Sequence, residues 1–302
     1  MRLILFVVMC TAMSYRSYGQ TAKYNKQKEI LHIEQSKTDG TIAIYRDKGK
    51  APILTQVAKM NERPYLHPII APDGKGVLTE YRPSHHPHQT GIYWGLKLVN
   101  GRDYFMNWNE DYWRGTAAKT IKEKGKAVKW QTVYDMIDED GNVIMTETQH
   151  WSMQAYAGIY ILDLEWKGEA KADVTMGKFY VGGLFIRMPW SKETIGETVN
   201  SAGLRGMEME GQRAIWSDLG IKVDGRDDLA HIAIFDHPDN RSFPTPWRVD
   251  SQLGLGPSAQ ILGDWSLNKG ETEVFRYRLL IYTGPLSNVE MTSAWKDFIL
   301  DY

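Results

Sequence analysis

Residues Ala127–Gln154 read AVKWQTVYDMIDEDGNVIMTETQHWSMQ, two long runs of alternating side chains joined at Asp138-Glu139-Asp140-Gly141-Asn142. Alternation with a period of two is the signature of a half-buried strand, and Asp-Gly between two such runs signals a hairpin. In the first arm Val128, Trp130, Thr132, Tyr134 and Met136 share one face. In the second, Val143, Met145, Glu147, Gln149, Trp151 and Met153 do, with His150 on the opposite face. This hairpin decides the fold class.

The pattern continues outward in both directions. GIYILDLEWKG extends the meander and puts Tyr160, Leu162, Leu164 and Trp166 on one side. TIAIYR from Thr41, HIAIFDHP, and EVFRYRLLIYTGP with Phe275, Tyr277, Leu279 and Ile281 on one face read as further strands. One helix is expected, in SNVEMTSAWKDFIL. Ser287 is its N-cap, Glu290 completes a capping box, and Val289, Ala294, Trp295, Phe298 and Ile299 form the apolar stripe. Antiparallel strands throughout and one terminal helix predict an all-β fold, a large antiparallel β-sandwich of supersandwich-like size with a short C-terminal helix. No linker and no internal repeat divides the chain, so residues 20–302 are expected to form a single domain.

The N-terminus has a different character. Arg2, the apolar run LILFVVMCTAM, and Ser17 and Gly19 before Gln20 read as a secretory signal peptide over residues 1–19. Met9 before Cys10 disfavours a lipid anchor. The expected location is exported, periplasmic or secreted. Cys10 is the only cysteine, so the mature chain has no disulfide, thiolate nucleophile or cysteine metal ligand. Loss of Arg2 and Arg16 moves the net charge from −1 to −3, which attracts neither nucleic acid nor an anionic membrane. No later segment has the roughly 18 uninterrupted apolar residues of a membrane span.

Eleven tryptophans and sixteen tyrosines suit a β-rich core and also platforms for sugar rings. Arg82–Gly95, RPSHHPHQTGIYWG, holds three of the eight histidines. Pro83 and Pro87 exclude a helix and favour extended geometry, which would put His86 and His88 on one face and His85 on the other. Such a pair can chelate a divalent metal ion, but the glutamate of a cupin motif is missing before Trp94. Ala233–Val249 supplies His237, Trp247 and Arg248. Arg63–Gly76 supplies His67. Glu208 and Glu210 are expected on one side of an extended segment. No phosphate loop, dinucleotide fingerprint or nucleophile elbow is present.

The blocks RPYLHPIIAPDGKGVLTEYRPSHHPHQTGIYWG, RAIW, IAIFDHPDN, PTPWRV and LGLGP, in that order, resemble the PmoA-like domain of unknown function. That domain occurs in exported bacterial proteins, often in species that use complex carbohydrates. Its commoner form has His-Pro-His-His-Arg-Gly where this chain has His86-Pro87-His88-Gln89-Thr90-Gly91. The inherited name points to a methane-oxidising membrane subunit, which a chain without a later membrane span does not fit. The resemblance implies a β-sandwich protein of carbohydrate use.

Together these features predict a carbohydrate substrate or ligand and a lyase or hydrolase, with non-catalytic glycan binding as the alternative. His86 or His88 would be the base or a metal ligand, with His67 and His237 completing the cluster. Arg82 or Arg248 would neutralise a substrate carboxylate, and Tyr93, Trp94 and Trp247 would contact a sugar ring.

Overall fold

In the computed structural model, residues 27–106, 111–223 and 225–301 are described; the signal-peptide reading of residues 1–19 lies outside them. The first strands are β1 (Leu31–Gln35), β2 (Thr41–Arg46), β3 (Leu54–Val57), β4 (Tyr65–Ile69), β5 (Ile92–Gly95) and β6 (Trp113–Lys122). Then come β7 (Lys124–Gly125), β8 (Val128–Ile137), β9 (Val143–Tyr156), β10 (Ile159–Ala170), β11 (Val174–Met176), β12 (Gly183–Arg187) and β13 (Gly196–Asn200). The last are β14 (Trp216–Ile221), β15 (Ala230–Asp236), β16 (Trp247–Asp250), β17 (Gly254–Pro257), β18 (Trp265–Leu267) and β19 (Thr272–Thr283), followed by helix α1 (Asn288–Leu300).

A nine-stranded sheet, β16-β17-β12-β5-β4-β3-β2-β1-β7, faces an eight-stranded sheet, β13-β14-β15-β19-β10-β9-β8-β6, and β11-β18 forms a small ribbon. Pairing between neighbouring strands is antiparallel. The chain is an all-β sandwich with one C-terminal helix, as its alternation predicts.

The β8–β9 hairpin forms where Asp-Gly predicts it. Asp138 Oδ1 accepts the backbone N–H groups of Asp140 and Asn142, and Gly141 takes φ +81°, a left-handed value that glycine adopts without strain. The resulting register sets Trp130 opposite Trp151, their rings stacked at 6.2 Å. Val128, Trp130, Thr132, Tyr134 and Met136 are buried, as are Met145, Glu147, Gln149, Trp151 and Met153; Val143 is half-buried and His150 exposed. From the facing sheet, Trp94 of β5 stacks on Trp166 of β10 at 4.3 Å.

The helix opens with the predicted capping box, Ser287 and Glu290 bonding reciprocally. It covers the outer face of the eight-stranded sheet, packing Met291 and Phe298 against Trp216, Phe235, Leu280 and Tyr282. Val289, expected in the stripe, is 80% exposed, and Met291 takes its place. Met291, Ala294, Trp295 and Phe298 keep the 3–4 residue spacing of one helix face, and Val289 falls outside it.

Glu147 faces the core, where Trp166 Nε1 and Gln149 Nε2 each donate to one of its oxygens at 2.8 Å. Burial pushes its carboxyl up to about 7, against hydrogen bonds that favour the charged form. The folded protein therefore holds a proton that the unfolded chain releases near its ordinary value of 4.5, so this group's stabilising contribution is present below 4.5 and lost as pH rises to 7. Glu147→Gln should remove that component: the variant's stability relative to the parent should rise between pH 5 and pH 8, read from denaturant midpoints at matched pH.

Candidate functional site

The central strands of the nine-stranded sheet carry side chains to both faces. Leu66, Ile92 and Ile186 point into the sandwich core, while Tyr65, Tyr93 and Phe185 form a cross-strand row on the outer face. The histidine segment closes over this row as a loop between β4 and β5. A bridge between Tyr81 and Thr90 seals its neck, with Arg82 N–H donating to the Gln89 carbonyl at 2.8 Å and Gly91 N–H to the Glu80 carbonyl at 2.7 Å. Gly91 sits at φ +75°, and a Cβ there would lie 2.3 Å from the Leu66 carbonyl oxygen, so only glycine fits the neck.

Within the loop the chain is not extended. His86 N–H bonds the Pro83 carbonyl at 2.9 Å and Gln89 N–H bonds the His86 carbonyl at 3.0 Å, giving two consecutive turns. Pro87 occupies the second position of the latter, where its fixed φ is favourable. The expected separation of His85 from its neighbours is thereby overturned. Rings of His85 and His86 meet edge-on at 5.1 Å, and those of His86 and His88 at 5.7 Å.

Two buried arginines anchor the loop. Arg63, just before β4, donates to the carbonyls of Phe105 and of His88, the latter at 2.9 Å, with its guanidinium 3.6 Å from the centre of the Tyr93 ring. Arg187, at the end of β12, bonds the Gln89 side chain and the Gln252 carbonyl, and pairs with both oxygens of Asp250 at 3.2 and 2.6 Å. Gln89 is thus the loop's handle for Arg187.

The structure brings some of the expected residues together and scatters others. His86 and His88 meet in the loop above the row of Tyr65, Tyr93 and Phe185, and Arg248 lies in register with that row across Gly256, so the three belong to the same sheet face. His67 lies at the neighbouring rim, bonded through Nδ1 to the Thr79 hydroxyl at 3.0 Å and stacked on Tyr81. Arg82 reaches over the same Tyr81 ring and lies 3.6 Å from Glu62. Tyr93 lies beneath the loop, 1% exposed, and supports Arg63 rather than offering a sugar platform.

Trp94 and Trp247 are not platforms either. Strand parity turns both inward: Trp94 stacks in the sandwich, and Trp247 bonds the Ala214 carbonyl at 3.0 Å while its neighbour Arg248 faces out. His237 belongs elsewhere. It follows β15 in the other sheet and packs edge-on against Phe298 of α1, so it does not complete the cluster. Asp236 beside it pins the proline-rich connection through the Thr245 N–H and Asn240 Nδ2, both at 2.8 Å. The segment expected to extend Glu208 and Glu210 coils instead into a 3-10 turn, Gly206–Met209, which leaves Glu210 to bind Arg248 at 2.8 Å.

Burial lowers the pKa of His67, His86 and His88 below the ordinary 6.5. Arg187 adds to the effect at His86, and Arg63 at His88, which is depressed to about 3. Burial raises the Glu80 carboxyl, against the field of His85. The imidazoles are therefore neutral at pH 7, and His86 Nδ1 and His85 Nε2 are buried without hydrogen-bond partners. Among the described residues no group of three His, Cys, Asp or Glu side chains is placed to hold a metal, and the His86–His88 pair gains no third ligand there.

Three participants had no motif to mark them. Trp190 lies edge-on to His85 at 5.2 Å, Tyr180 is 55% exposed with the Arg248 guanidinium 4.9 Å above its ring, and Lys97 lies 4.9 Å over the Phe179 ring. Isolated aromatics and a lone lysine give no spacing to read.

A model of a family of unknown function, DUF6807, matches residues 37–296. No curated protein matches the chain. Among solved structures, the GH36 alpha-galactosidase AgaB from Geobacillus stearothermophilus is 8% identical with a TM-score of 0.41, the match covering 83% of this chain and 40% of that one. A TPR-domain containing protein from Parabacteroides distasonis is 11% identical at 0.42, covering 82% and 48%. A galactose mutarotase related enzyme from Lactobacillus acidophilus is 6% identical at 0.36, covering 83% and 97%. The chain thus spans less than half the length of the first two.

Asp250→Ala would leave the Arg187 guanidinium buried without its carboxylate. The variant should lose about 3–5 kcal/mol of folding stability, measured by denaturant unfolding, because an uncompensated buried charge costs more than the pair contributes.

Proposed function

The chain belongs to DUF6807, a family of unknown function, and from the site itself we propose that it is a carbohydrate-active protein whose turn-held histidine loop transfers a proton at a sugar ring. The observation that carries this reading is His86: half-buried, neutral, with an unpartnered Nδ1, and edge-on to His85, which in turn packs on Trp190. Aromatic faces pack the C–H faces of sugar rings, and a neutral imidazole accepts a proton.

The two imidazoles divide the work. His88, depressed to about 3, is too weak a base for proton abstraction near neutrality and serves as a hydrogen-bonding wall. His86 is the base, removing a ring proton in a lyase or activating water in a hydrolase. Glu80, its carboxyl raised by burial, is the candidate for returning a proton to the leaving oxygen. His67 and Tyr81 form the binding rim. An export signal over residues 1–19 and the blocks shared with PmoA-like exported domains fit a protein that meets glycans outside the cytoplasm.

The second reading is glycan binding without turnover, favoured by the exposed Tyr180 ring under Arg248, which forms a binding platform with no chemistry attached. Incubation with a panel of glycans separates the two. On a turned-over glycan, His86→Ala should lose about 100-fold or more in kcat with binding retained. Activity should hold from pH 8 to 6.5 and fall only below that, because a base with a depressed pKa protonates late. Glycan bound yet recovered intact after long incubation would leave the binding reading, and unchanged kcat in His86→Ala would remove His86 as the base.

A further inference from the structure

The histidine-loop face has an unbalanced charge. Four cations flank the loop and the aromatic row beneath it: Arg63 over Tyr93, Lys97 over Phe105 and Phe179, Arg187 on Gln89, and Arg248 over Tyr180. Three of them touch an acid, Lys97 on Asp103, Arg187 on Asp250 and Arg248 on Glu210. Arg63, 1% exposed, has no carboxylate in contact among the described residues. Its N–H groups go to the Phe105 and His88 carbonyls and, at 3.4 Å, to the Thr90 hydroxyl, and its Nε has no partner.

Those carbonyl bonds account for how the loop is held; a neutral amide donor would hold it as well. They do not account for a full positive charge at a buried position, which is costly without compensation. The Tyr93 face offsets part of it through a cation–π contact. Glu147 acts on Arg63 from the core side of the sheet, but its own carboxyl is pushed up to about 7, so its counter-charge is only partial at neutrality. The neighbouring imidazoles contribute no negative charge. A net positive field remains beneath the loop, focused by low-dielectric walls.

Arg248 carries that field to the surface. Its side chain is 23% exposed, and Nη1 donates to Glu210, which leaves Nε and Nη2 for another oxyanion. Tyr180 is 55% exposed beside that guanidinium, so a sugar packed against its exposed part would bring its substituents alongside Arg248.

We infer that this face selects an anionic sugar, one bearing a carboxylate or a sulfate, with the charged group seated on Arg248 in the field of Arg63. The inference rests on the carbohydrate reading above and adds the substrate class to it. A bound anion would supply the compensation that Arg63 lacks and would oppose the cations that act on His86, making that imidazole a stronger base when the substrate is in place.

Calorimetric titration of the full chain tests it with matched pairs: oligogalacturonate against its methyl ester, and a sulfated galactan oligomer against its desulfated form. The expected result is about tenfold tighter binding of one charged member at low ionic strength, shrinking at about 0.2 M salt. The pair that shows the preference identifies carboxylate or sulfate. Arg248→Gln should remove most of the preference, weakening the charged member about tenfold more than the uncharged one. Equal binding of charged and uncharged members, both weakened by Tyr180→Ala, would overturn the anion inference while the carbohydrate reading stands. No binding by any oligomer, or binding unaffected by Tyr180→Ala, would overturn both.

Discussion

Strand β5 is buried on both faces, and the rest of the molecule is arranged around that constraint. Ile92 and Trp94 enter the sandwich, where Trp94 stacks on Trp166 and ties the two sheets together. Tyr93 points the other way and carries the Arg63 guanidinium on its ring. A strand with one face in the core and the other under a polar loop needs that loop to be firmly held, since any buried backbone group left unbonded there would be costly. Arg63 and Arg187 meet the need by bonding loop carbonyls and the Gln89 amide. The same strand thus sets both the packing between the sheets and the platform of the site.

Building the platform from arginines has an electrostatic consequence. Partial burial, reinforced by the cations under the loop, keeps His86 and His88 neutral, so the site presents imidazoles as acceptors at the pH where free histidine begins to charge. Asp250 balances Arg187, and its carboxyl is held below the ordinary carboxylate range by that guanidinium and by backbone N–H groups, against the effect of burial. The other sheet handles its polar groups differently. There α1 seals the outer face, His237 packs against Phe298, and Asp236 serves as a pin for a loop. One face of the sandwich is closed by apolar packing, and the opposite face carries the accessible polar and aromatic groups.

Much of the framework was legible in the chain. The β8–β9 hairpin, the β10 and β19 faces and the Ser287–Glu290 capping box all rest on neighbours within a few residues, where periodicity and turn chemistry act directly. The histidine loop was half legible. Its prolines excluded a helix, but whether Pro83 and Pro87 shape an extended run or successive turns depends on the Arg63 and Arg187 anchors, which arrive from distant strands. Trp94 and Trp247 were assigned to the site by their proximity in sequence to histidine and arginine. Strand parity sends adjacent residues to opposite faces, so of the Trp247-Arg248 pair only Arg248 could face the site once Trp247 entered the core.

By itself the sequence determined the fold class, the hairpin and the faces of its strands, the terminal helix and the clustering of His86 with His88, because each depends on local alternation or on spacing within one segment. Tertiary structure alone decided which face each of those segments presents. It removed His237, Trp94 and Trp247 from the site, covered Tyr93, and added Tyr180, Trp190, Gln89 and the two arginine anchors. The reason is physical: a side chain's surroundings in a sandwich are set by the strand beside it and the sheet above it, and those neighbours lie far away along the chain, 98 residues for Gln89 and Arg187 and 163 for Lys97 and Gln260.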